Sequence, residues 1–221
     1  MNEKKPHIEN VAPEKEEAGS FRLIMTLTLA GLFSGILLST TYVVTEPVIK
    51  ANKEAALREA IYVVLPGCVE IQWVWEENGV LVEGDQPPEK AESWIYKGVD
   101  QNGNLVGYAL PGEGAGFQDQ IVLIVGYKPE NDKVIGFQVL DSRETPGLGD
   151  KIFKDKAFIA NFNNLNTDPS VEIVKKGAKT KDNEVEGITG ATISSKAVVK
   201  IVQESLNQWK PLLLKQAKEN E

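Results

Sequence analysis

The sequence predicts an α+β protein in which a single N-terminal transmembrane helix is followed by a mostly antiparallel sheet domain with flanking helices. Three observations carry this reading. Residues 23–45 contain no charged side chain, residues 70–141 alternate with a period near two, and from Ser194 apolar positions recur at helical spacing. The first pattern suits hydrocarbon, the second half-buried strands and the third an amphipathic helix.

Composition narrows the function before any motif is read. The chain has 221 residues, 24 Lys+Arg against 32 Asp+Glu, and a formal net charge of −8. Nucleic-acid binding needs a basic face, so no nucleic-acid partner is expected. A single cysteine, Cys68, excludes an internal disulfide framework and any multi-thiolate zinc or iron–sulfur site supplied by this chain alone. A single histidine, His7, lies in a charged tail, which excludes a Ser-His-Asp triad and a multi-histidine metal site.

Residues 1–22 are polar, carry Pro6 and Pro13, and read as a disordered arm. Residues 23–45 would reach roughly 34 Å as a helix, enough to cross a bilayer core. A cleaved signal peptide and a buried core helix compete with this reading. Tyr42, Val43 and Val44 are a poor end for the former, and the uncharged length is unusual for the latter. Lys4, Lys5, Lys15 and Arg22 precede the span and Lys50, Lys53 and Arg58 follow it, a slight bias towards a cytoplasmic N-terminus.

Residues 46–66 form the expected stalk, with Pro47 in its first turn and Ile49, Ala56, Leu57, Ala60, Ile61 and Val64 on one stripe. Residues 67–221 form the expected sheet domain. Trp73 to Trp75, Trp94 to Val99, Leu105 to Leu110, Gln120 to Tyr127 and Lys133 to Leu140 read as strands, with a hairpin at Asn102-Gly103. The last helix presents Val198, Val202, Leu206, Trp209 and Leu213 on one face, with Pro211 bending or ending it.

Four segments offer chemistry. Pro111 to Phe117 is rich in glycine and reads as a flexible hairpin loop or as a close approach to a ligand. In Glu144-Thr145-Pro146-Gly147-Leu148-Gly149-Asp150-Lys151, Pro146-Gly147 fits the middle of a type II turn. This is either a plain turn or one that presents Leu148 to a planar ring. Lys175 to Lys181 is a basic cluster, either a solvated loop or an attractive field for an anion. Glu186 to Ser195 opens the last helix. As structure, Thr192, Ser194 and Ser195 would cap it; as a site, Gly190 and Ala191 leave room for a phosphate at the helix N-terminus beside Thr192. No histidine is available to activate that threonine, so a covalent step would need outside help.

Thr189-Gly190-Ala191-Thr192-Ile193-Ser194-Ser195 resembles the flavinylation motif of FMN-binding domains, and Glu144 to Lys151 resembles the ETPGLG turn of the same family. The resemblance spans about residues 20–210 and includes the order of anchor, helix, sheet, turn, motif and terminal helix. Within the family the chain is most similar to the G subunits of Rnf electron-transport complexes, with NqrC of the sodium-pumping NADH:quinone oxidoreductase as a near relative. One departure is Glu186, where the family usually has aspartate.

The resemblance implies covalent FMN, esterified to Thr192 by a separate flavin transferase that uses FAD. Thr189, Gly190, Ala191 and Ser194 would surround the attachment point, and Glu144, Thr145, Gly147, Leu148, Gly149 and Lys151 would flank the flavin. No catalytic triad and no metal ligand are expected. The chain would be an electron-transfer subunit, incomplete as an enzyme by itself, in a complex linking reduced ferredoxin and NAD to Na+ or H+ translocation. Its partners would be the other membrane and cytoplasmic subunits, the transferase and the lipid bilayer, with the domain outside the cytoplasm. The alternatives are an NqrC-type subunit and a non-redox, membrane-anchored binding module.

Overall fold

The computed structural model describes residues 19–219; the expected arm at residues 1–18 lies outside them. The chain divides into two compact units, Met1–Asn52 and Lys53–Glu221. Helix α1 spans Ser20–Val64. Within the first unit Leu27, Leu32, Phe33, Ile36, Leu37 and Leu38 are all exposed. A helix that is apolar all round and buries none of it against protein belongs in lipid. Among the described residues α1 is the one helix long and apolar enough to cross a membrane.

Two boundaries differ from expectation. Residues 20–22 belong to the helix rather than to the arm, and Pro47 lies inside α1 rather than opening a second helix. Proline removes one N–H donor, but its fixed φ is a helical one, so a helix can run through it at the loss of one hydrogen bond.

The second unit is built on a seven-stranded antiparallel sheet. Its strands are β1 (Glu70–Glu77), β2 (Val80–Gly84), β3 (Trp94–Val99), β4 (Leu105–Ala115), β5 (Gln120–Lys128), β6 (Lys133–Ser142) and β7 (Leu165–Asn166). Their spatial order is β2-β1-β3-β4-β5-β6-β7. Short helices α2 (Lys151–Lys154) and α3 (Lys156–Ala160) follow β6. Strands β8 (Glu172–Val174) and β9 (Glu184–Glu186) pair in parallel as a separate ribbon, and α4 (Thr192–Glu219) closes the fold. The two-residue spacing of Trp73, Trp75, Trp94 and Tyr96 makes β1 and β3 legible, and Gly103 turns their successor hairpin at φ +80°.

Alternation along the strands serves two cores. Leu110, Leu123, Val125 and Tyr127 point to one face, where they meet Val198, Val202, Leu206, Trp209 and Leu213 of α4. Ala109 and Ile124 point to the other, where they meet Ala60, Ile61 and Val64 at the end of α1. The helical stripe read from the sequence is therefore buried only in its last turns; Ile49 is exposed. Gly126 and Gly136 are cross-strand partners beneath the Val64 backbone. A Cβ on Gly136 would lie 2.6 Å from the Val64 carbonyl oxygen, so only glycine lets the helix end settle there.

The glycine-rich segment after Leu110 is not a loop. It continues β4 to Ala115, in register with β5. A Cβ at Gly112 would stand 2.9 Å, and one at Gly114 2.8 Å, from the Ile201 side chain of α4. These glycines are a seat for a packed helix, a role that looks like turn chemistry in sequence because both need a missing side chain. Pro211 likewise sits inside α4 without ending it.

Candidate functional site

The site begins where β6 leaves the sheet. Thr145-Pro146-Gly147-Leu148 folds as the expected type II turn, with Gly147 at φ +78° and Leu148 N–H donating to the Thr145 carbonyl at 3.1 Å. The turn holds Leu148 half exposed, at 50%. Thr145 Oγ1 donates to Gln118 Oε1 at 2.8 Å and ties the turn to the loop after β4.

Glu144 lies beneath, only 5% exposed. Its Oε1 accepts from Phe117 N–H at 2.7 Å and Gln118 N–H at 3.1 Å; its Oε2 accepts from the Ser194 hydroxyl at 2.7 Å. Three donors compensate a buried carboxylate that has no cation partner among the described residues. A Cβ on Gly116 or Gly149 would overlap its oxygens, so both glycines make room for it.

The first turn of α4 supplies the opposite wall. Gly190, at φ +84°, turns the chain into the helix. Ser195 is fully buried, donates to the Ala191 carbonyl at 2.9 Å and accepts from Ile188 N–H at 3.1 Å. Ser194, spent on Glu144, does not cap the helix as its sequence position suggests. Thr192 and Ile193 face outward, and among the described residues no hydrogen bond holds the Thr192 hydroxyl. That hydroxyl stands at the positive end of a 28-residue helix.

Between these walls is a cleft of about 330 Å³ lined by Phe117, Thr145, Leu148, Gly149, Gly190, Ala191, Thr192, Ile193 and Ser194. Small-molecule sites begin near this size, at about 300 Å³. Phe117, Leu148 and Ile193 are 63%, 50% and 56% exposed, three large apolar groups left to one small opening. Such a lining fits a planar, largely apolar ring, and the free hydroxyl at the helix N-terminus fits an attached phosphate.

Most residues expected at the site meet here: Thr145, Leu148, Gly149, Gly190, Ala191, Thr192 and Ser194. Gly147 shapes the turn, and Glu144 braces the cleft from below. Thr189 lines a neighbouring cleft instead, and Lys151 opens α2 outside the lining. Phe117 and Ile193 join the lining although the sequence marks them only as members of their segments. Glu186 does not face the cleft: its Oε1 accepts from Gly177 N–H at 3.0 Å, in the basic loop. A larger cleft of about 600 Å³ lies elsewhere, by Trp94 and Trp209, and contains none of these residues. Cys68 is buried and donates to the Glu70 carbonyl, and burial pushes its thiol up from the usual range.

Comparison with known proteins agrees with this geometry. The FMN-binding domain family matches residues 116–207, which include both walls of the cleft. The G subunit of the ion-translocating oxidoreductase complex of Methanosarcina acetivorans is 33% identical over 80% of this chain and 88% of its own length. The G subunit of the proton-translocating ferredoxin:NAD(+) oxidoreductase complex of Clostridium ljungdahlii is 31% identical over 90% of this chain and 96% of its own. The crystal structure of Shewanella oneidensis NqrC shares the fold, with a TM-score of 0.61 at 19% identity over 76% of this chain and 99% of that one. The chain therefore belongs to the G-subunit family of ion-translocating oxidoreductase complexes, and its sheet unit carries an FMN-binding domain.

Proposed function

We propose that the chain is a membrane-anchored flavoprotein subunit that carries FMN on Thr192 and relays electrons within an Rnf-type ferredoxin:NAD oxidoreductase coupled to Na+ or H+ translocation. One observation carries the covalent assignment: Thr192 offers a free, exposed hydroxyl at the start of α4, on the rim of an apolar cleft. FMN, when bound, supplies one- and two-electron transfer, which suits a relay between centres of different electron count.

The chain's own residues hold and orient. Thr192 Oγ bears the phosphate, the helix N-terminus stabilises its charge, and Phe117, Leu148 and Ile193 shield one region of the ring from water. Glu144, through Ser194 and the Phe117 and Gln118 amides, fixes the spacing of the cleft walls. A flavin transferase using FAD activates the hydroxyl, which has no base beside it. The helix around residues 23–45 anchors the subunit, with the N-terminus in the cytoplasm and the flavin domain outside it. The ferredoxin and NAD sites lie on partner subunits.

The G-subunit relatives match over nearly their whole length, whereas the likeness to the NqrC structure at 19% identity speaks for the fold. That difference favours the Rnf assignment over an NqrC-type subunit. Co-expression with a flavin transferase tests the reading. The wild-type chain is expected to gain the mass of one FMN and a fluorescent band that survives denaturing electrophoresis, and Thr192→Ala to lose both. A colourless wild-type chain would instead favour a non-redox binding module.

A further inference from the structure

Thr192 borders two clefts. The second, about 570 Å³, is lined by Lys175, Lys176, Lys196, Ile173, Ile188 and Thr189 among others, with Thr192 the one residue common to both. No carboxylate pairs with Lys175, Lys176 or Lys196 among the described residues, although the chain carries an excess of acids.

The loop that brings two of these lysines here is built rather than loose. Glu184 Oε2 accepts from Thr180 N–H at 2.6 Å and Lys181 N–H at 3.0 Å, and these amides hold its carboxyl below the usual range. Glu186 accepts from Gly177 N–H, and Gly187 N–H donates to the Val174 carbonyl at 2.8 Å. Two acids of β9 thus spend their acceptors on backbone amides and leave the lysine ammonium groups unneutralised.

We infer that this basic cleft is a nucleotide-phosphate site: it takes the adenylate half of the flavin dinucleotide donor while Thr192 is being modified. The inference rests on the assignment of Thr192 as the attachment point. A flavin dinucleotide has an aromatic group at each end and a diphosphate between them, and Thr192 lies between an apolar cleft and a cationic one. In the transfer, Thr192 Oγ bonds to the flavin-side phosphorus and the bond from that phosphorus to the bridging oxygen breaks. AMP departs with that oxygen and its electron pair, and the hydroxyl proton passes to a base of the transferase. Negative charge grows on the departing phosphate, where unpaired lysines stabilise it most.

The test uses the full-length chain in detergent, with AMP as the probe. Without transferase, unmodified wild-type chain is expected to bind AMP saturably, in competition with inorganic phosphate. Lys175→Gln/Lys176→Gln/Lys196→Gln should weaken binding about tenfold or more, the scale of losing charge-assisted hydrogen bonds. Lys90→Gln/Lys215→Gln/Lys218→Gln, equal in charge but at other exposed positions, should leave it unchanged. With transferase and FAD, the cleft variant should raise the KM for FAD and leave the KM for the chain unchanged. Equal AMP binding by wild type and cleft variant overturns the inference. So does a rise confined to the KM for the chain, which would mark the lysines as a docking surface for the transferase. Thr192→Ala separates the two readings: it should keep AMP binding while losing covalent flavin, so retained labelling would sink the attachment site alone.

Discussion

The Ser194 hydroxyl donates a 2.7 Å hydrogen bond to Glu144 Oε2, joining residues 50 positions apart in the chain. The same carboxylate accepts from Phe117 and Gln118 N–H. One buried side chain thus fastens the loop after β4, the turn after β6 and the first turn of α4, the three segments that enclose the apolar cleft. The cleft's shape depends on an acid that does not itself line it.

Glu144→Ala should leave three donors without an acceptor. At about 1–3 kcal/mol for each buried group left unsatisfied, a loss of at least ~3 kcal/mol is expected, or roughly 6–12 °C in thermal midpoint. Glu144→Gln keeps the shape and part of the bonding, so it should lose about 1 kcal/mol and accept flavin more slowly than wild type. Differential scanning calorimetry and the rate of fluorescent labelling check both. A Glu144→Ala variant as stable as wild type would show that the three segments are held by something else.

Gly126→Ala should release the end of α1 from the sheet. The added methyl would run into the Val64 backbone, which has no flexible side chain to yield. Overpacking of this kind costs about 1–3 kcal/mol. Hydrogen exchange should rise at Ala60, Ile61 and Val64 while α4 stays protected, because α4 covers the opposite face. Faster exchange spread evenly over both helices would contradict the two-core arrangement.

Asp132 predicts an acid-sensitive clamp. Its carboxylate accepts from Lys210 Nζ at 2.7 Å, from Tyr127 at 2.8 Å and from the Thr167 hydroxyl, joining α4 to the turn between β5 and β6. Burial pushes its carboxyl up, but the hydrogen bonds from Lys210, Thr167 and Tyr127 outweigh that and leave it below the usual range. A depressed carboxyl contributes stability that is present above its unfolded value, near 3.9, and is lost as pH falls through the folded value. The wild-type thermal midpoint should therefore drop more steeply on acidification below about pH 4 than that of Asp132→Asn. At neutral pH the variant should be less stable by about 2–3 kcal/mol. Parallel acid limbs for the two proteins would remove Asp132 as the titrating group.

The sequence alone determined which segments are helix and strand, and it identified the residues where chemistry is possible. An uncharged run of 23 residues, alternating tryptophans and a helical stripe from Val198 to Leu213 are local patterns, and local patterns record burial directly. Pro146-Gly147 was legible for the same reason, since positive φ at the third turn position is a local demand. Tertiary structure decided what local patterns leave open. Gly112 and Gly114 look like a loop because a turn and a helix seat both require a missing side chain. The short β7, β8 and β9 carry too few residues to show a period. Ser194 reads as a cap until Glu144 is brought to it, and the lysines of residues 175–181 read as solvated until the β8–β9 ribbon sets them beside Thr192. Partners distant in sequence are chosen by packing, and packing exists only once the sheet has formed.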